Sequence, residues 1–413
     1  GKLHDYLGMT LDYTIKNKVK IDMTDYILKI LEGLPEGFDG TAITPAASHL
    51  FDINDDCPKL DPKTMELFHH IVAQLLFLAK RGRPDILTGV AFLTTRVKGP
   101  DEDDMKKLKR IINYMRDTAN LVLTLESDGT GTIHWWVDAA FGVHHDMKSH
   151  TGGMMSLGKG AIYSTSQKQK LNTKSSTEAE VVGVDDLMPQ ILWTRLFLQA
   201  QGFNVIDNIV YQDNQSAMKL ENNGRHSSGK RTRHINIRYF FVTNRIAHSD
   251  LSLKYCPTDM LISDFYTKPL QGKLFRFFQN LILNINNSPT RNFQLALNKL
   301  KASTSSTAIK KSTLQECVDE NTTKYKLGEN KENMSPGPKP RNSKCEVAGS
   351  NPSNNKYKLA TPNLSYLDAA RRVTKHSLAP KDTRETVFSQ HPALLLKLRN
   401  VANACLSKTT IEQ

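Results

Sequence analysis

The chain has 413 residues, 39% of them hydrophobic, so it can bury a core in at least part of its length and could hold two or three domains. Its formal net charge of +13 favours an anionic partner such as a polynucleotide, although a basic protein that is merely soluble fits the charge equally well. The five cysteines have no CxxC spacing, so they indicate neither a disulfide framework nor a zinc site, and they predict a reducing, intracellular location. No apolar run is long enough to predict a membrane span.

Residues 1–126 carry a mainly helical pattern with short strands. The runs TDYILKILEGL and MELFHHIVAQLLFLAKRG have apolar residues at helical spacing, and DEDDMKKLKRIINYMRDT has the acidic first turn that suits a helix dipole. The Lys106, Lys109 and Arg110 side of that third helix is interpreted either as solvated or as facing a nucleic-acid backbone. The turn residues ESDGTG then break the pattern, so we place a domain boundary near Ser127.

Residues 127–288 begin with strand-like runs, such as TIHWWVDAAFG, and continue with alternating helices and strands. The longest helical pattern, SSTEAEVVGVDDLMPQILWTRLFLQAQG, starts with serine and threonine caps and ends at Gly202. It is followed by a strand NIVYQD, a basic loop, a helix INIRYFFVTNRIAH, a strand SLKYC and a short helix DMLISDFYTKPL. This order predicts one mixed α/β sheet flanked by helices.

Residues 289–413 are rich in Ser, Thr, Asn, Lys and Pro and have few aromatic residues to bury. Such a composition cannot offset the conformational entropy of the chain, so we expect a mostly disordered tail. The run HPALLLKLRNVANACL could form a short amphipathic helix that either packs or binds a partner.

Four carboxylates stand at comparable points of this pattern: Asp138 within a strand run, Glu180 in the first turns of the long helix, Asp213 directly after a strand, and Asp264 in the short last helix. Each alone is usually a cap or a solvated group. At 100° per residue Glu180 falls on the apolar face of its helix, whereas Glu178 falls roughly opposite and is predicted to be solvated. An inward acid costs several kcal/mol unless it is paired, hydrogen-bonded or bound to a metal, so a cation is a reasonable partner.

Hard divalent cations prefer oxygen ligands, and Mg²⁺ typically takes one or two carboxylates. Three or four acids at one sheet edge could hold two such ions roughly 4 Å apart, the spacing that supports an in-line phosphodiester displacement.

The motifs VDAAFG, STSQKQKLNTKSSTEAEVVG, DNQSAMKL, KRTRHINIRYFFV and YCPTDMLISDFYTKPL, in this order, resemble the ribonuclease H domain at the end of the Pol polyprotein of Ty1/copia retrotransposons. The resemblance implies a ribonuclease H-like mixed sheet flanked by helices, with Asp138, Glu180, Asp213 and Asp264 as catalytic and metal-binding residues for two Mg²⁺ ions, Mn²⁺ being a possible substitute. The family more often has a serine-aspartate pair at the first acid and ADIFTK around the last, where this chain has WWVDAAF and SDFYTK.

The runs HDYLGMTLDY, ITPA, FHHIVAQLLFLAKRGRPDILTGVAFLTTRV and KRIINYMRDT are similar to the part of a copia-type reverse transcriptase that follows its palm. The resemblance implies that residues 1–126 are a thumb-like and connecting region. The Tyr-x-Asp-Asp aspartates of that family are not in this chain, so no polymerisation is expected from this fragment alone. The start at Gly1 without methionine also suggests a piece of a longer protein. The implied partners are an RNA:DNA hybrid and the rest of the Pol polyprotein, in a cytoplasmic particle or the nucleus.

The basic run GRHSSGKRTRHINIR lies between Asp213 and Asp264 in sequence and is predicted to grip hybrid phosphates, although an ordinary solvated charge run is the alternative. The residues assigned to this contact are Lys230, Arg231, Arg233, His234 and Arg238. His234 either assists water or product movement near the metals or simply hydrogen-bonds and packs.

Three smaller predictions concern residues outside these sites. His226 and the pair His144–His145 are predicted to lie on the surface. Trp135 and Trp136 are predicted to pack on opposite faces of their strand. RPDI, from Arg83 to Ile86, is interpreted as a helix-to-loop boundary because proline disfavours helix at the preceding residue.

The function predicted from these residues is metal-dependent endonucleolytic hydrolysis of the RNA strand of RNA:DNA hybrids, with selectivity from 2′-hydroxyl contacts and duplex shape. The alternative is an inactive, truncated or chimeric transposon remnant that at most binds nucleic acid. A third option, an adaptor acting through its tail, has only the composition of that tail in its favour.

Overall fold

The structure is a computed structural model that describes residues 2–227, 229, 233–285 and 397. Apart from Lys397, the predicted tail at 289–413 lies outside the described residues, so its disorder stays a prediction.

Nine helices lie in the described part of the chain, and they include every helix predicted within residues 1–288. The helix considered for the run HPALLLKLRNVANACL lies outside the described residues, apart from Lys397. The helices α3, α6 and α9 were not predicted. The bounds are α1 Thr24–Glu32, α2 Pro62–Arg81, α3 Leu87–Thr94, α4 Glu102–Asp117, α5 Ser176–Ala200, α6 Gln215–Asn223, α7 Asn236–Ala247, α8 Asp264–Thr267 and α9 Gly272–Leu283, with 3-10 turns at Pro84–Ile86, Gly224–Ser227, Arg233–Ile235 and Thr258–Met260. None of the described helices is both long enough and apolar enough to cross a membrane.

Ten described strands form two five-stranded sheets. The bounds are β1 Leu3–Tyr6, β2 Met9–Asp12, β3 Lys18–Asp22, β4 Leu123–Ser127, β5 Thr132–Ala140, β6 His150–Ser156, β7 Gly158–Lys159, β8 Tyr163–Lys168, β9 Asp207–Gln212 and β10 Ser252–Tyr255.

The first sheet has the order β1-β2-β3-β4-β7, and each neighbouring pair is antiparallel. Its fourth strand ends at Ser127, where the sequence predicted a domain boundary. Because β7 pairs with β4 on the far side of that boundary, this sheet contains strands from both predicted segments.

The second sheet has the order β10-β9-β5-β6-β8. The strands β10, β9 and β5 are parallel, while β6 and β8 run antiparallel to their neighbours. The predicted mixed α/β arrangement is therefore confirmed, and it is compatible with a ribonuclease H-like fold.

Two consecutive glycines of β6 let helices approach both faces of this sheet. An added Cβ at Gly152 would lie 2.7 Å from Cγ2 of Thr267 in α8, and one at Gly153 would lie 2.6 Å from Cδ1 of Leu187 in α5. Successive residues of a strand point to opposite faces, so the two helices lie on opposite sides of β6. This close packing brings the acids of both helices towards Asp138 in the neighbouring strand.

The RPDI segment is the helix end that the sequence predicted, because α2 ends at Arg81 and a 3-10 turn follows. It also holds a buried ion pair that was not predicted. Nη2 of Arg83 lies 2.8 Å from Oδ2 of Asp85, both side chains are almost fully buried, and the hydroxyl of Tyr114 donates to the same carboxylate at 2.6 Å. Such a pair is tolerated in a core because its polar atoms are satisfied.

Candidate functional site

The strands β5 and β9 bring two of the predicted carboxylates to one edge of the second sheet. Trp136 lies opposite Tyr211 in this parallel pair. Asp138 and Asp213 each follow two residues later in the same direction, so their side chains lie near each other at the carboxyl ends of the strands. The side chain of Asp138 is almost fully buried, whereas Asp213 is half-buried.

Helix α5 supplies the third carboxylate. The helix begins after Ser175, whose side chain accepts a hydrogen bond from the amide of Glu178. Glu180 follows in the first turns and is buried against β5. One carboxylate oxygen from each of Asp138, Glu180 and Asp213 lies within 4.8 Å of the other two. The periodicity that selected Glu180 is thus confirmed by its position.

Three carboxylates at this spacing repel one another. Burial, together with repulsion from Asp138 and Asp213, raises the pKa of Glu180 well above its ordinary value. A bound cation would offset both the burial and the repulsion, since it would neutralise the negative charge of the carboxylates and replace the hydration that they lose. The all-oxygen donor set suits a hard cation such as Mg²⁺ or Mn²⁺, and within the described residues this is the one cluster of three acidic, histidine or cysteine ligands close enough to hold an ion.

Asp264, the fourth predicted acid, opens α8 beside Asp138 but lies outside this close group of three. Burial and repulsion from Asp138 raise the pKa of Asp264 to about 7, against the opposing effect of Lys268. Nζ of Lys268 lies 2.9 Å from Oδ1 of Asp264 and 3.6 Å from Oδ2 of Asp138. The hydroxyl of Thr267 also donates to Asp138.

The three close carboxylates open into a cavity of about 550 Å³. Part of its wall comes from residues 1–126, which sequence reasoning assigned to a separate domain. No motif marked these residues, because their only common property is a shared position in space. The lining residues are Ser48, Phe51, Asp52, Asp138, Ala139, Ala140, Phe141, Val143, Glu180, Asp213, Thr267, Lys268 and Pro269.

The prediction that Glu178 is solvated was wrong. Only 7% of this residue is exposed. Its carboxylate accepts a hydrogen bond from the amide of Lys174 at 2.8 Å and lies 3.2 Å from Nε2 of His234. A helical wheel treats the helix as isolated, whereas here the preceding loop and the chain before α7 cover the outer side of its first turn.

The surface position predicted for His144 was also wrong, whereas His145 and His226 are exposed as predicted. Nε2 of His144 lies 2.9 Å from Nδ1 of His150, and both rings are buried. Burial lowers the pKa of His144 to about 4 and, with the neighbouring imidazole, that of His150 to about 3. Both rings are therefore neutral at pH 7. Phe51 packs against them with ring centroids 5.1 and 5.3 Å away.

The two tryptophans pack as predicted. Trp135 is buried and donates its indole NH to Asn208 at 3.1 Å. Trp136 points the other way and stacks on Tyr211, with ring centroids 5.3 Å apart.

The predicted nucleic-acid contacts are only partly within the described residues. Lys230 and Arg231 lie outside them, and only the backbone of Arg233 is described. The ring of His234 is 40% exposed beside Glu178, and Arg238 contacts Asp185 and, at 3.5 Å, Asp186. The side chain of Arg238 is thus already paired with carboxylates, and contact of these residues with a hybrid stays a prediction.

The chain is similar in sequence to transposon polyproteins. No protein-family model matches it. It is 26% identical to the Retrovirus-related Pol polyprotein from transposon TNT 1-94 of Nicotiana tabacum and 30% identical to that from transposon RE1 of Arabidopsis thaliana, each match covering 68% of this chain. A Transposon Ty1-BR Gag-Pol polyprotein of Saccharomyces cerevisiae is 22% identical over 67% of the chain.

The matched region spans 22% of the tobacco polyprotein, 19% of the Arabidopsis one and 16% of the yeast one. The chain therefore corresponds to about a fifth of the length of these relatives. Its homologues are Pol polyproteins of the Ty1/copia type, as the motifs around the four acids predicted.

Proposed function

We propose that this chain is part of a copia-type retrotransposon Pol polyprotein and that its second sheet carries a metal-dependent endonuclease for the RNA strand of RNA:DNA hybrids. The observation that carries the proposal is the convergence of Asp138, Glu180 and Asp213, which come from two strands and a helix and meet within 4.8 Å at the edge of a cavity. The matches to Pol polyproteins support it, because copying RNA into DNA leaves an RNA strand to be removed.

In this proposal Asp138, Glu180 and Asp213 hold Mg²⁺, or Mn²⁺ in its place, and Asp264 completes a second position. When bound there, such ions would supply an activated water and would stabilise the charge of an in-line displacement at phosphorus. The protein orients the acids beforehand: Thr267 donates to Asp138, Nε2 of Gln212 lies 3.5 Å from Glu180, and Thr258 donates to Asp213 at 2.7 Å.

The proposed substrate is the hybrid duplex, which is recognised by shape and 2′-hydroxyl groups. The residues proposed to contact its phosphates are Lys230, Arg231, Arg233, His234 and Arg238. We assign residues 127–288 to the nuclease region and residues 1–126 to the end of a reverse transcriptase. The rest of the Pol polyprotein is the proposed partner.

The test is cleavage of a labelled RNA:DNA hybrid with Mg²⁺, comparing the wild-type chain with Asp213→Asn. We expect the variant to lose cleavage by a factor of at least about 100, since it removes one charged ligand of the centre. Asp207→Asn is the matched control, because Asp207 lies at the other end of the same strand.

Circular dichroism should show that all three proteins are folded. Equal cleavage by the wild-type chain and Asp213→Asn would refute the assigned centre. Hybrid binding without cleavage by the folded wild-type chain, in Mg²⁺ and in Mn²⁺, would instead establish an inactive remnant.

A further inference from the structure

We infer that Ser48 and Asp52, which precede the nuclease region in the chain by many residues, are substrate-contacting residues that recognise a 2′-hydroxyl of the RNA strand. The inference rests on the proposed function and adds to it a specificity element supplied by residues 1–126. Both side chains are exposed, and both residues line the cavity that holds Asp138, Glu180 and Asp213.

The backbone on either side of these residues is held in place by α4 and the start of α9. Arg110 of α4 donates from Nε to the carbonyl of Thr44 at 3.1 Å, and Gln271 donates from Nε2 to the carbonyl of Ala46 at 2.8 Å. Lys107, also in α4, donates to the backbone carbonyl of Asp52 at 2.6 Å. Side-chain donors thus fix the backbone, while Asp52 itself is exposed and lines the cavity.

Apolar contacts fix the middle of the same segment. Leu50 is buried, and Phe51 packs its ring edge-on against Phe92, with centroids 5.7 Å apart, as well as against the neutral imidazoles of His144 and His150. A wall fixed in this way can position a hydrogen-bonding group with little loss of entropy on binding.

The chemistry of the Ser48 and Asp52 side chains indicates which group of the substrate they contact. A carboxylate next to a nucleic-acid backbone repels phosphates, so it needs a hydrogen-bond donor, and among backbone groups only the 2′-hydroxyl of RNA is one. The hydroxyl of Ser48 can donate or accept and suits the same partner. DNA has no group that would satisfy this acceptor, so a DNA strand in the same place would leave Asp52 facing phosphates alone.

The experiment compares Asp52→Ala and Ser48→Ala with two controls from the same segment, Asp56→Ala and His49→Ala, which are exposed and lie outside the cavity wall. Asp56→Ala removes the same charge as Asp52→Ala. The substrates are one hybrid with an all-RNA strand and a set of hybrids with a single 2′-deoxynucleotide at successive positions around the cleaved bond. Cleavage is measured with Mg²⁺, and hybrid affinity is measured with Ca²⁺ as a second readout.

We expect Asp52→Ala to reduce kcat/KM on the all-RNA strand by about three- to tenfold, the worth of one hydrogen bond, and Ser48→Ala to reduce it by less. At one position, a 2′-deoxynucleotide in the RNA strand should reduce kcat/KM of the wild-type chain by a similar factor. The same substitution should not reduce kcat/KM of Asp52→Ala any further. The two controls should follow the wild type on every substrate.

Equal rates for Asp52→Ala and Asp56→Ala on every substrate would overturn the inference while leaving the nuclease intact. A 2′-deoxy effect that persists undiminished in both Asp52→Ala and Ser48→Ala would overturn it as well. Absence of cleavage by the wild-type chain itself would refute the proposed function, and the inference would fall with it.

Discussion

The ammonium group of Lys268 lies where a cation is expected to bind, 2.9 Å from Asp264 and 3.6 Å from Asp138. Burial alone would lower the pKa of Lys268, but the two carboxylates raise it, so the side chain stays charged. It partly neutralises the acids without a metal, and it opposes a divalent cation at the same place.

Replacing this lysine with Lys268→Met should therefore have two opposite effects. Without metal, the variant should be less stable than the wild type, because Asp138 and Asp264 lose their counter-charge. With Mn²⁺ it should bind the ion about three- to tenfold more tightly, a factor that allows for solvent screening of a half-exposed charge. Titration calorimetry with Mn²⁺ and thermal unfolding in EDTA measure the two effects.

Lys219→Met is the matched control, because Lys219 is an exposed lysine of α6 that lines no part of the cavity. Weaker Mn²⁺ binding by Lys268→Met than by this control would show that the lysine supports the metal site instead of competing with it.

Glu221 in α6 is a buried acid whose charge depends on the pH. Its side chain is fully buried, and neither carboxylate oxygen has a hydrogen-bond partner among the described residues. Burial, reinforced by Asp185, raises the pKa of Glu221 to about 8 from an ordinary value of 4.5. Between these two values the folded chain keeps a proton that the unfolded chain has released, so the free energy of unfolding falls as the pH rises.

The variant Glu221→Gln has no proton to lose. We therefore expect the unfolding free energy of the variant minus that of the wild type to rise by about 1.4 kcal/mol per pH unit between roughly pH 4.5 and 8. Below about pH 4.5 this difference should be constant. Urea unfolding of both proteins in EDTA across this range measures it. Parallel stability curves throughout the window would show that Glu221 is not buried as a neutral acid.

At the scale of elements, α8 can lie close to the sheet because Gly152 has no side chain. An added Cβ there would lie 2.7 Å from Thr267, 2.8 Å from the carbonyl of Ser263 and 2.9 Å from Tyr266, all closer than real Cβ atoms approach. Gly152→Ala should push α8 away from the sheet, cost about 1–3 kcal/mol of unfolding free energy, and weaken both metal binding and cleavage by displacing Asp264.

Gly183→Ala is the control for this substitution. Gly183 faces the same region from α5, but its added Cβ would lie 3.6 Å from Ala139, Thr151 and Val137, which is ordinary contact. An alanine inside a helix should leave the centre intact and add about 0.5–1 kcal/mol of stability. Equal metal affinity and stability in the two variants, measured by calorimetry and urea unfolding, would contradict the role given to Gly152.

The elements were predictable where local chemistry determines them. Ser175 caps α5 through the amide of Glu178, and Asp101 forms a capping box with Asp104 at the start of α4, so both helix starts follow from short motifs. Periodicity also identified Glu180. The burial of Glu178 and His144 was not predictable in this way, because it depends on tertiary contacts: His234 lies beside Glu178, and Phe51 packs against His144.

At the scale of the whole molecule, Ser127 separates two groups of sequence motifs, but residues on its two sides pack against each other. The first sheet contains β4 and β7 from opposite sides of that boundary. Thr88 of α3 donates to the carbonyl of Phe265 at 2.7 Å, next to Asp264, and Lys80 of α2 donates to the carbonyl of Ser164 at 3.1 Å. Contacts of this kind have no sequence signature, since they join residues far apart in the chain.

These shared contacts predict that the described part of the chain unfolds as one cooperative unit. All three tryptophans, at positions 135, 136 and 193, lie after Ser127, so their fluorescence reports the nuclease region alone. Hydrogen exchange of the α2 and α4 amides reports the region before it. We expect the two probes to give the same urea midpoint, because unfolding either region would expose buried donors and apolar surface of the other.

Thr88→Val tests the coupling directly, since it removes the donor to Phe265 while keeping the shape of the side chain. It should lower the unfolding free energy reported by both probes by the same amount, about 1–2 kcal/mol, because the buried carbonyl loses its partner. Thr95→Val is the control, as the hydroxyl of Thr95 bonds only within its own region, to the carbonyl of Phe92. Separate midpoints for tryptophan fluorescence and hydrogen exchange, or a Thr88→Val effect confined to one probe, would mean that the nuclease region is stable without the wall that Ser48 and Asp52 provide.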